Sequence, residues 1–353
     1  MTRLAPSLPG WQGDASFPTP HSRPVASALW RTLGPLGLLG GALTLAALGG
    51  SATLAHIITR PRHLRAIAPR AIDATVEEIA FQTADGVTLR GWYLSHEAAR
   101  DVLVICHGFA MSRHEFLDLA RALHASGHAI LLFDFRAHGT SGGSRSTIGY
   151  REAGDIIAAI AYLRTRPELV ALPLGVVGIS MGAAAALLAA AREPQIGAVV
   201  ADSSFTALTD TALGSLRELC HATLAPLGPL ILRFGELLTS AKLAANRPID
   251  AMAAIAPRPL LVIHNTEDTF IPVRNAFTLY AAASEPKELW VRPGRGHASL
   301  WACCAAEYAE RLDRFFTDAF AGPAPRADDL MARQYASLGQ HVLDVAETEA
   351  QQS

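Results

Sequence analysis

The chain has 353 residues, half of them hydrophobic, and its formal net charge is −2 at neutral pH. That length can bury a large core, and the charge balance excludes both extensive disorder and a broad nucleic-acid-binding surface. A small or apolar ligand suits this composition better.

An uncharged, apolar run from Leu33 to Ala55 dominates the N-terminal region. Because about 20 apolar residues cross the hydrocarbon core of a bilayer, the run predicts a transmembrane helix over residues 29–59. Residues 1–28 are rich in Pro, Ser and Gly and are predicted to form a disordered tail. The alternative is a cleaved signal peptide with its cleavage site at Gly50 to Ala52, although the segment before the run is long for such a peptide.

Basic residues near this run predict its orientation. Arg23 and Arg31 precede the run, whereas four arginines follow it: Arg60, Arg62, Arg65 and Arg70. Since basic flanks tend to stay in the cytoplasm, we expect a single-pass anchor with the folded domain on the cytoplasmic side. A secreted or periplasmic domain is the alternative.

From residue 75 to residue 320, β-rich and helical segments alternate along the chain. The predicted strands are Val76–Gln82, Val87–Leu94, Val102–Cys106, Ala129–Phe133, Leu174–Ile179, Ala198–Ala201, Leu260–His264 and Glu288–Val291. The later strands are apolar throughout, and helices separate them. This pattern predicts an α/β fold with a mainly parallel sheet, helices on both faces, and ligand sites at the carboxyl ends of the strands.

A segment at residues 204–258 is longer than the crossover of about 12 residues that parallel strands require. It is apolar and mostly helix-forming, with leucines such as Leu213, Leu227 and Leu237. We expect a helical lid insertion over the sheet edge, whose leucines either line an acyl pocket or only pack the lid onto the core. Residues 322–353 follow as a C-terminal tail.

The four cysteines do not form a disulfide framework or a spaced metal site. Cys106 lies in an apolar run, Cys220 stands alone, and Cys303 and Cys304 are adjacent. We expect free thiols and no metal or organic cofactor.

The sequence Gly178-Ile179-Ser180-Met181-Gly182 lies directly between a predicted strand and a predicted helix. In this context GxSxG forms a sharp turn that exposes the serine hydroxyl, and a side chain at either glycine would clash with the neighbouring backbone. Ser180 is therefore the predicted nucleophile, with a structural helix cap as the alternative.

A serine nucleophile needs a histidine base that is oriented by a carboxylate. His297 follows the last predicted strand, and Asp268 follows the strand before it, so that the order is Ser, Asp, His as in α/β hydrolases. Glu267 and Asp202 are rival acids. We expect Asp202 instead to cap the first helix of the lid beside Ser203 and Ser204.

The oxyanion of a tetrahedral intermediate needs two N–H donors. Met181 follows the predicted nucleophile, and Phe109 follows the first core strand in His107-Gly108-Phe109, where Gly108 allows a close approach of the backbone. We expect His107 to bond to the loop backbone rather than to transfer protons.

Four motifs in this order resemble those of the α/β-hydrolase superfamily, in its lipase-like and serine-aminopeptidase-like branch. They are HGF at 107–109, DFRAHGTSGG at 134–143, GISMG at 178–182, and the later pair HNTEDTFIP and PGRGH. The resemblance covers residues 75–320 and implies the triad Ser180, Asp268 and His297 with donors at Phe109 and Met181. It also implies that the segment with Asp134, Arg136 and Ser141 braces the sheet edge. Ala137 and Asn265 depart from the pattern, since relatives have Gly at both positions.

The predicted reaction is hydrolysis of a carboxylic ester through an acyl-serine intermediate. The apolar lid and the N-terminal helix favour a small-molecule substrate with an acyl or lipid-like part. A peptidase or amidase with the same triad is one alternative. A membrane-tethered binding module on the same fold is the other, which the intact triad disfavours. The oligomeric state is left open.

Overall fold

The computed structural model describes residues 25–61, 76–211 and 225–321, and the structural statements below concern these ranges. The predicted tails, apart from residues 25–28 of the first, and the basic stretch after residue 61 lie outside them. The chain divides into two compact units, residues 1–49 and residues 50–353.

The N-terminal apolar run forms one long helix, α1 (Val25–Ile58), which begins before the predicted position 29. Its portion Leu38–Ile58 is long and apolar enough to cross a membrane. In the first unit, Leu38, Leu43 and Leu45 are all exposed. The prediction of an apolar helix of spanning length is confirmed.

The second unit contains one eight-stranded sheet, in which all the predicted strands are present. The strands are β1 (Val76–Gln82), β2 (Thr88–Leu94), β3 (Asp101–Cys106), β4 (His128–Asp134), β5 (Leu174–Ile179), β6 (Ala198–Asp202), β7 (Leu260–Glu267) and β8 (Lys287–Arg295). Their order is β1-β2-β4-β3-β5-β6-β7-β8. Only β2 pairs in antiparallel fashion, with β1 and β4. The predicted mainly parallel sheet is confirmed.

Helices cover the sheet on both faces. Those after α1 that are described at both ends are α2 (Leu117–Ala125), α3 (Glu152–Arg164), α4 (Met181–Ala190), α5 (Gly228–Thr239), α6 (Pro248–Ala251), α7 (Arg274–Ala282), α8 (Leu300–Cys303) and α9 (Ala305–Phe320), and a further helix begins at residue 208. Strand side chains alternate between the faces. Val104 packs into one core with α3 and α4, whereas Ile105 packs into a second core with α2 and α9. The central strands are therefore buried on both sides, which explains their continuous apolar sequence.

The predicted lid is described at residues 204–211 and from residue 225 onward, and its leucines at 213, 216, 219 and 224 lie outside the described residues. In α5, Ile231 is buried, whereas Leu237 is 65% exposed. The apolar residues of this helix thus divide between an inner face and the surface.

Candidate active site

Ser180 lies in the turn between β5 and α4, with φ +55° and ψ −114°. This backbone conformation is strained for a residue with a side chain. A Cβ atom on Gly178 would lie 2.3 Å from the carbonyl oxygen of Gly182, and one on Gly182 would lie 2.3 Å from that of Cys106. Glycine is therefore required at both positions, as expected from the motif.

The structure places His297 between Ser180 and Asp268. Its Nε2 lies 2.6 Å from the Ser180 hydroxyl, and its Nδ1 lies 2.7 Å from Oδ2 of Asp268. A neutral imidazole that donates from Nδ1 to the carboxylate can accept the serine proton at Nε2. The three predicted triad residues, which lie far apart in the chain, thus form one continuous hydrogen-bonded chain.

Asp268 is held by backbone as well as by histidine. Its Oδ1 accepts hydrogen bonds from the N–H groups of Phe270 and Ile271, both at 2.9 Å. Burial raises the pKa of this carboxyl, but hydrogen bonds from His264 and His297 lower it more, so that the net pKa lies well below its usual range. The carboxylate is therefore ionised and oriented where a triad acid would act.

The two rival acids occupy other environments. Glu267 is half exposed and forms a surface ion pair with Arg295 at 3.0 Å. Asp202 is buried and accepts hydrogen bonds from the hydroxyl groups of Ser203 and Tyr308, at 2.8 and 2.9 Å. The expectation that Asp202 caps the next helix is wrong, because its two oxygens are bonded to these hydroxyls and that helix begins only at residue 208. Burial raises the pKa of the Asp202 carboxyl.

The predicted oxyanion donors lie beside Ser180. Met181 is the first residue of α4, where an N–H has no acceptor within the helix. Phe109 follows Gly108, and a Cβ atom on Gly108 would lie 3.4 Å from Cβ of Ser180. Phe109, Met181, Ser180 and His297 line one cavity. Their placement agrees with a site for a developing oxyanion at the start of a helix.

His107 bonds to the loop backbone, as expected. Its Nε2 accepts from the N–H of Phe135 at 3.0 Å, and its Nδ1 donates to the carbonyl of Gly108 at 2.7 Å. Burial lowers the pKa of His107 to about 3. This imidazole is therefore neutral and structural.

The segment from Asp134 to Ser141 braces the sheet edge, as the resemblance implies. Asp134 accepts from the N–H groups of Arg113 and Thr140, both at 2.9 Å, and Arg136 pairs with Asp85 and Asp155. Ala137 has φ +60°. This left-handed conformation gives the physical reason why relatives have Gly there.

Asn265, which departs from the family pattern, also contributes to the site. It is fully buried, and its side-chain amide donates to the carbonyl of Gly296 and to the hydroxyl of Ser299. Both acceptors lie in the loop that carries His297. In the sequence, the sign of this role is Asn at a position near Asp268 where relatives have Gly. The partners of Asn265 become visible only in the structure, where the loop that carries His297 folds back onto β7.

Ser180 and His297 open into a cavity of about 350 Å³ whose walls are mostly apolar. Its walls include Ile148, Phe205, Ile231 and Phe270. A smaller cavity of about 130 Å³, lined by Asp210 and Arg274 among others, shares Thr211 and Phe270 with it. Within the described ranges, no group of three or more His, Cys, Asp or Glu side chains could hold a metal ion.

Comparisons with known proteins agree with this fold. A family model for serine aminopeptidase, S33, matches residues 97–247, a range that includes Ser180. The uncharacterized protein Rv2307c of Mycobacterium tuberculosis is 31% identical over 243 residues, covering 68% of this chain and 79% of the relative. The uncharacterized protein YqkD of Bacillus subtilis is 28% identical over 251 residues, with coverage of 68% and 79%.

Among solved structures, the esterase Pf2001 of Pyrococcus furiosus is similar over 74% of this chain and 98% of its own, with 25% identity and a TM-score of 0.62. The family model, the esterase structure and the sheet order thus lead to one superfamily. The chain belongs to the α/β hydrolases, in the family of serine aminopeptidase-like hydrolases.

Proposed function

We propose that the protein is a serine esterase that cleaves carboxylic esters with an apolar acyl part. The observation that carries this proposal is the hydrogen-bonded chain Ser180–His297–Asp268, which ends in the large apolar cavity. A hydroxyl beside an imidazole that a carboxylate orients can attack an acyl carbon that binds in such a cavity.

The proposed reaction has two halves. The Ser180 oxygen attacks the ester carbonyl carbon while its proton passes to Nε2 of His297, and the N–H groups of Phe109 and Met181 stabilise the oxyanion. The C–O bond to the alcohol then breaks, and His297 returns the proton to the departing alcohol. Water enters, loses a proton to His297 and releases the carboxylic acid and free Ser180 by the same route.

The walls of the cavity support an ester with an acyl chain over a peptide. Apart from His297, the described residues that line the large cavity carry no titratable side chain. The free ammonium group of an aminopeptidase substrate would lose its hydration there without a carboxylate partner among the described residues. The carboxylate of Asp210 lines the smaller neighbouring cavity and not the large one. Amide hydrolysis, for which such a carboxylate could bind the ammonium group, is therefore the second candidate. Acyl esters and aminoacyl anilides, assayed side by side, distinguish the two.

The decisive experiment is labelling with a fluorophosphonate, which reacts with activated serines. We expect the full-length protein to be labelled at Ser180 and to hydrolyse acyl esters, and Ser180→Ala to lose both because no hydroxyl remains to form the covalent bond. Ser204→Ala is the matched control, since the hydroxyl of this buried serine donates to the carbonyl of Phe205 and is not part of the Ser180–His297–Asp268 chain. Labelling at another serine, or an unlabelled wild type, contradicts the proposal and favours a binding module.

We further propose that α1 holds the protein in the membrane with the hydrolase domain in the cytoplasm. The apolar portion Leu38–Ile58 has spanning length, and its exposed leucines in the first unit suit contact with lipid. The excess of arginine after the helix favours this orientation. Protease added to intact cells should leave the domain uncut, and lysis should expose it. Digestion without lysis, or a mature N-terminus near Ala52, contradicts this topology.

A further inference from the structure

The C-terminal turns of α1 form part of the wall of the large cavity. Leu54 and Ile58 both line it, together with Ser180 and His297. The two residues are one helical turn apart and therefore lie on the same face of α1. They belong to the same compact unit as the proposed active site, because that unit begins at Gly50.

This end of the helix is an integral part of the hydrolase unit. Ser51, Ala55 and Thr59 are buried. The carbonyl oxygen of Thr59 accepts a hydrogen bond from the N–H of Ser146 at 2.9 Å, and its hydroxyl accepts one from Arg145 at 2.8 Å. These contacts fix the helix end and hold Leu54 and Ile58 at the cavity.

The same residues are the last part of the apolar portion Leu38–Ile58 that could cross a membrane. Ile57, on another side of the helix, is 60% exposed. One continuous apolar stretch therefore includes both the candidate membrane span and a wall of the cavity. An ordinary anchor would need only its length and its hydrophobicity, and neither property requires contact with the catalytic cavity.

We propose that Leu54 and Ile58 determine acyl-chain specificity, and that the substrate is a lipid ester whose acyl chain leaves the bilayer along α1 and lies against these two side chains. The inference rests on the proposed esterase function and adds the source of the substrate and the residues that select it. Each methylene that is buried in an apolar site improves binding by about fourfold. Filling part of the cavity should therefore weaken the binding of long acyl chains more than that of short ones.

Leu54→Trp and Ile58→Trp test this by filling the cavity from the helix side. Hydrolysis of p-nitrophenyl acetate and p-nitrophenyl dodecanoate is measured with the full-length protein in lipid vesicles. We expect the ratio of kcat/KM for dodecanoate over acetate to fall about tenfold or more in each variant, since displacing two methylenes already gives about this factor. Leu45→Trp is the control, because Leu45 is on the same helix and 72% exposed, and its ratio should stay within about twofold of wild type.

A second measurement does not depend on hydrolysis. A dodecanoyl ester that carries a diazirine at the end of its chain is bound to the Ser180→Ala variant in vesicles, activated by light and located by peptide mass spectrometry. We expect crosslinks within residues 50–58, which excess unlabelled dodecanoyl ester suppresses. Crosslinks confined to other walls of the cavity overturn the proposal, as does a dodecanoate-to-acetate ratio that Leu54→Trp and Ile58→Trp leave at the wild-type value.

The two proposals fail in different ways. If the esterase proposal is wrong, the wild type is not labelled by the fluorophosphonate, while crosslinking at residues 50–58 still reports where an acyl chain binds. If only the role of the helix is wrong, labelling at Ser180 persists and the crosslinks avoid α1. A Trp variant that fails to fold loses labelling by a small fluorophosphonate, and the crosslinking result then decides.

Discussion

The side-chain amide of Asn265 donates a hydrogen bond to the backbone carbonyl of Gly296, the residue before His297, at 3.2 Å. Gly296 and Ala298 both have positive φ, so that His297 lies in a sharply turned loop. Asn265 is in β7 and Asp268 follows that strand. One buried amide thus ties the strand that leads to the proposed acid to the loop that carries the proposed base.

Asn265→Ala should therefore lower kcat by about tenfold to a hundredfold, because small errors in the position of a catalytic group cost this much. KM should change little, since Asn265 does not line the large cavity. Steady-state kinetics on an acyl ester, with the rate of fluorophosphonate labelling, measure both effects. A rise in KM at unchanged kcat would contradict a role in positioning His297. Asn275→Ala, which removes a buried amide bonded to Thr206, is the control for general loss of stability.

Asp268→Asn should reduce kcat by about a thousandfold or more, because an amide cannot hold the required histidine tautomer or stabilise the imidazolium. Asp202→Asn and Glu267→Gln should retain activity within about tenfold, since Asp202 bonds to hydroxyl groups and Glu267 pairs with Arg295 at the surface. The three variants are compared by kcat on one ester. If Asp202→Asn were the most damaging, the proposed acid would have to be reassigned to β6.

Gly182→Ala should abolish labelling at Ser180 or prevent folding, because its new methyl group would lie 2.3 Å from the carbonyl oxygen of Cys106. The matched control is Gly154→Ala in α3, where no heavy atom lies within 4 Å of the added Cβ. That change should stabilise the fold by about 0.5–1 kcal/mol, since Ala favours the helix interior over Gly. Labelling rates and urea unfolding report the two outcomes. Wild-type labelling of Gly182→Ala would show that the turn tolerates a side chain.

We expect the titration of His107 to make the folded protein less stable in mild acid. Burial lowers its pKa to about 3 in the folded state, whereas an imidazole in the unfolded chain has a pKa of about 6.5. Between these values the unfolded chain binds a proton that the folded chain does not. The free energy of unfolding therefore falls as the pH falls below 6.5, by up to about 1.4 kcal/mol per pH unit from this group.

Urea midpoints at pH 7.5 and pH 5.0 measure this dependence. His107→Gln should reduce the difference between the two midpoints, because glutamine does not titrate and its side chain still has an acceptor for the N–H of Phe135. An unchanged difference in His107→Gln would assign the acid sensitivity to other groups.

Local signals in the sequence were sufficient to predict the fold and the turn that holds Ser180. Apolar runs such as Val102–Cys106 are local features of a few residues, so that their pattern indicates strands before any contact is known. Gly178 is required because the turn brings it against Gly182, whereas Gly182 is required because it lies against the carbonyl oxygen of Cys106 in β3. The roles of Ser180, Asp268 and His297 could also be predicted from local signals, since each residue follows a recognisable strand and their order is that of α/β hydrolases.

Only the tertiary structure decided which carboxylate meets His297. Asp202, Glu267 and Asp268 all lie at or just after the ends of neighbouring strands, and one residue along a strand reverses the direction of a side chain. The tertiary structure also showed that Asn265 contacts the loop that carries His297. The sequence likewise determined the length and hydrophobicity of α1, but not that Leu54 and Ile58 line the cavity with Ser180. Hydropathy measures the transfer of a segment out of water, whereas a cavity wall depends on packing between segments that are distant in the chain.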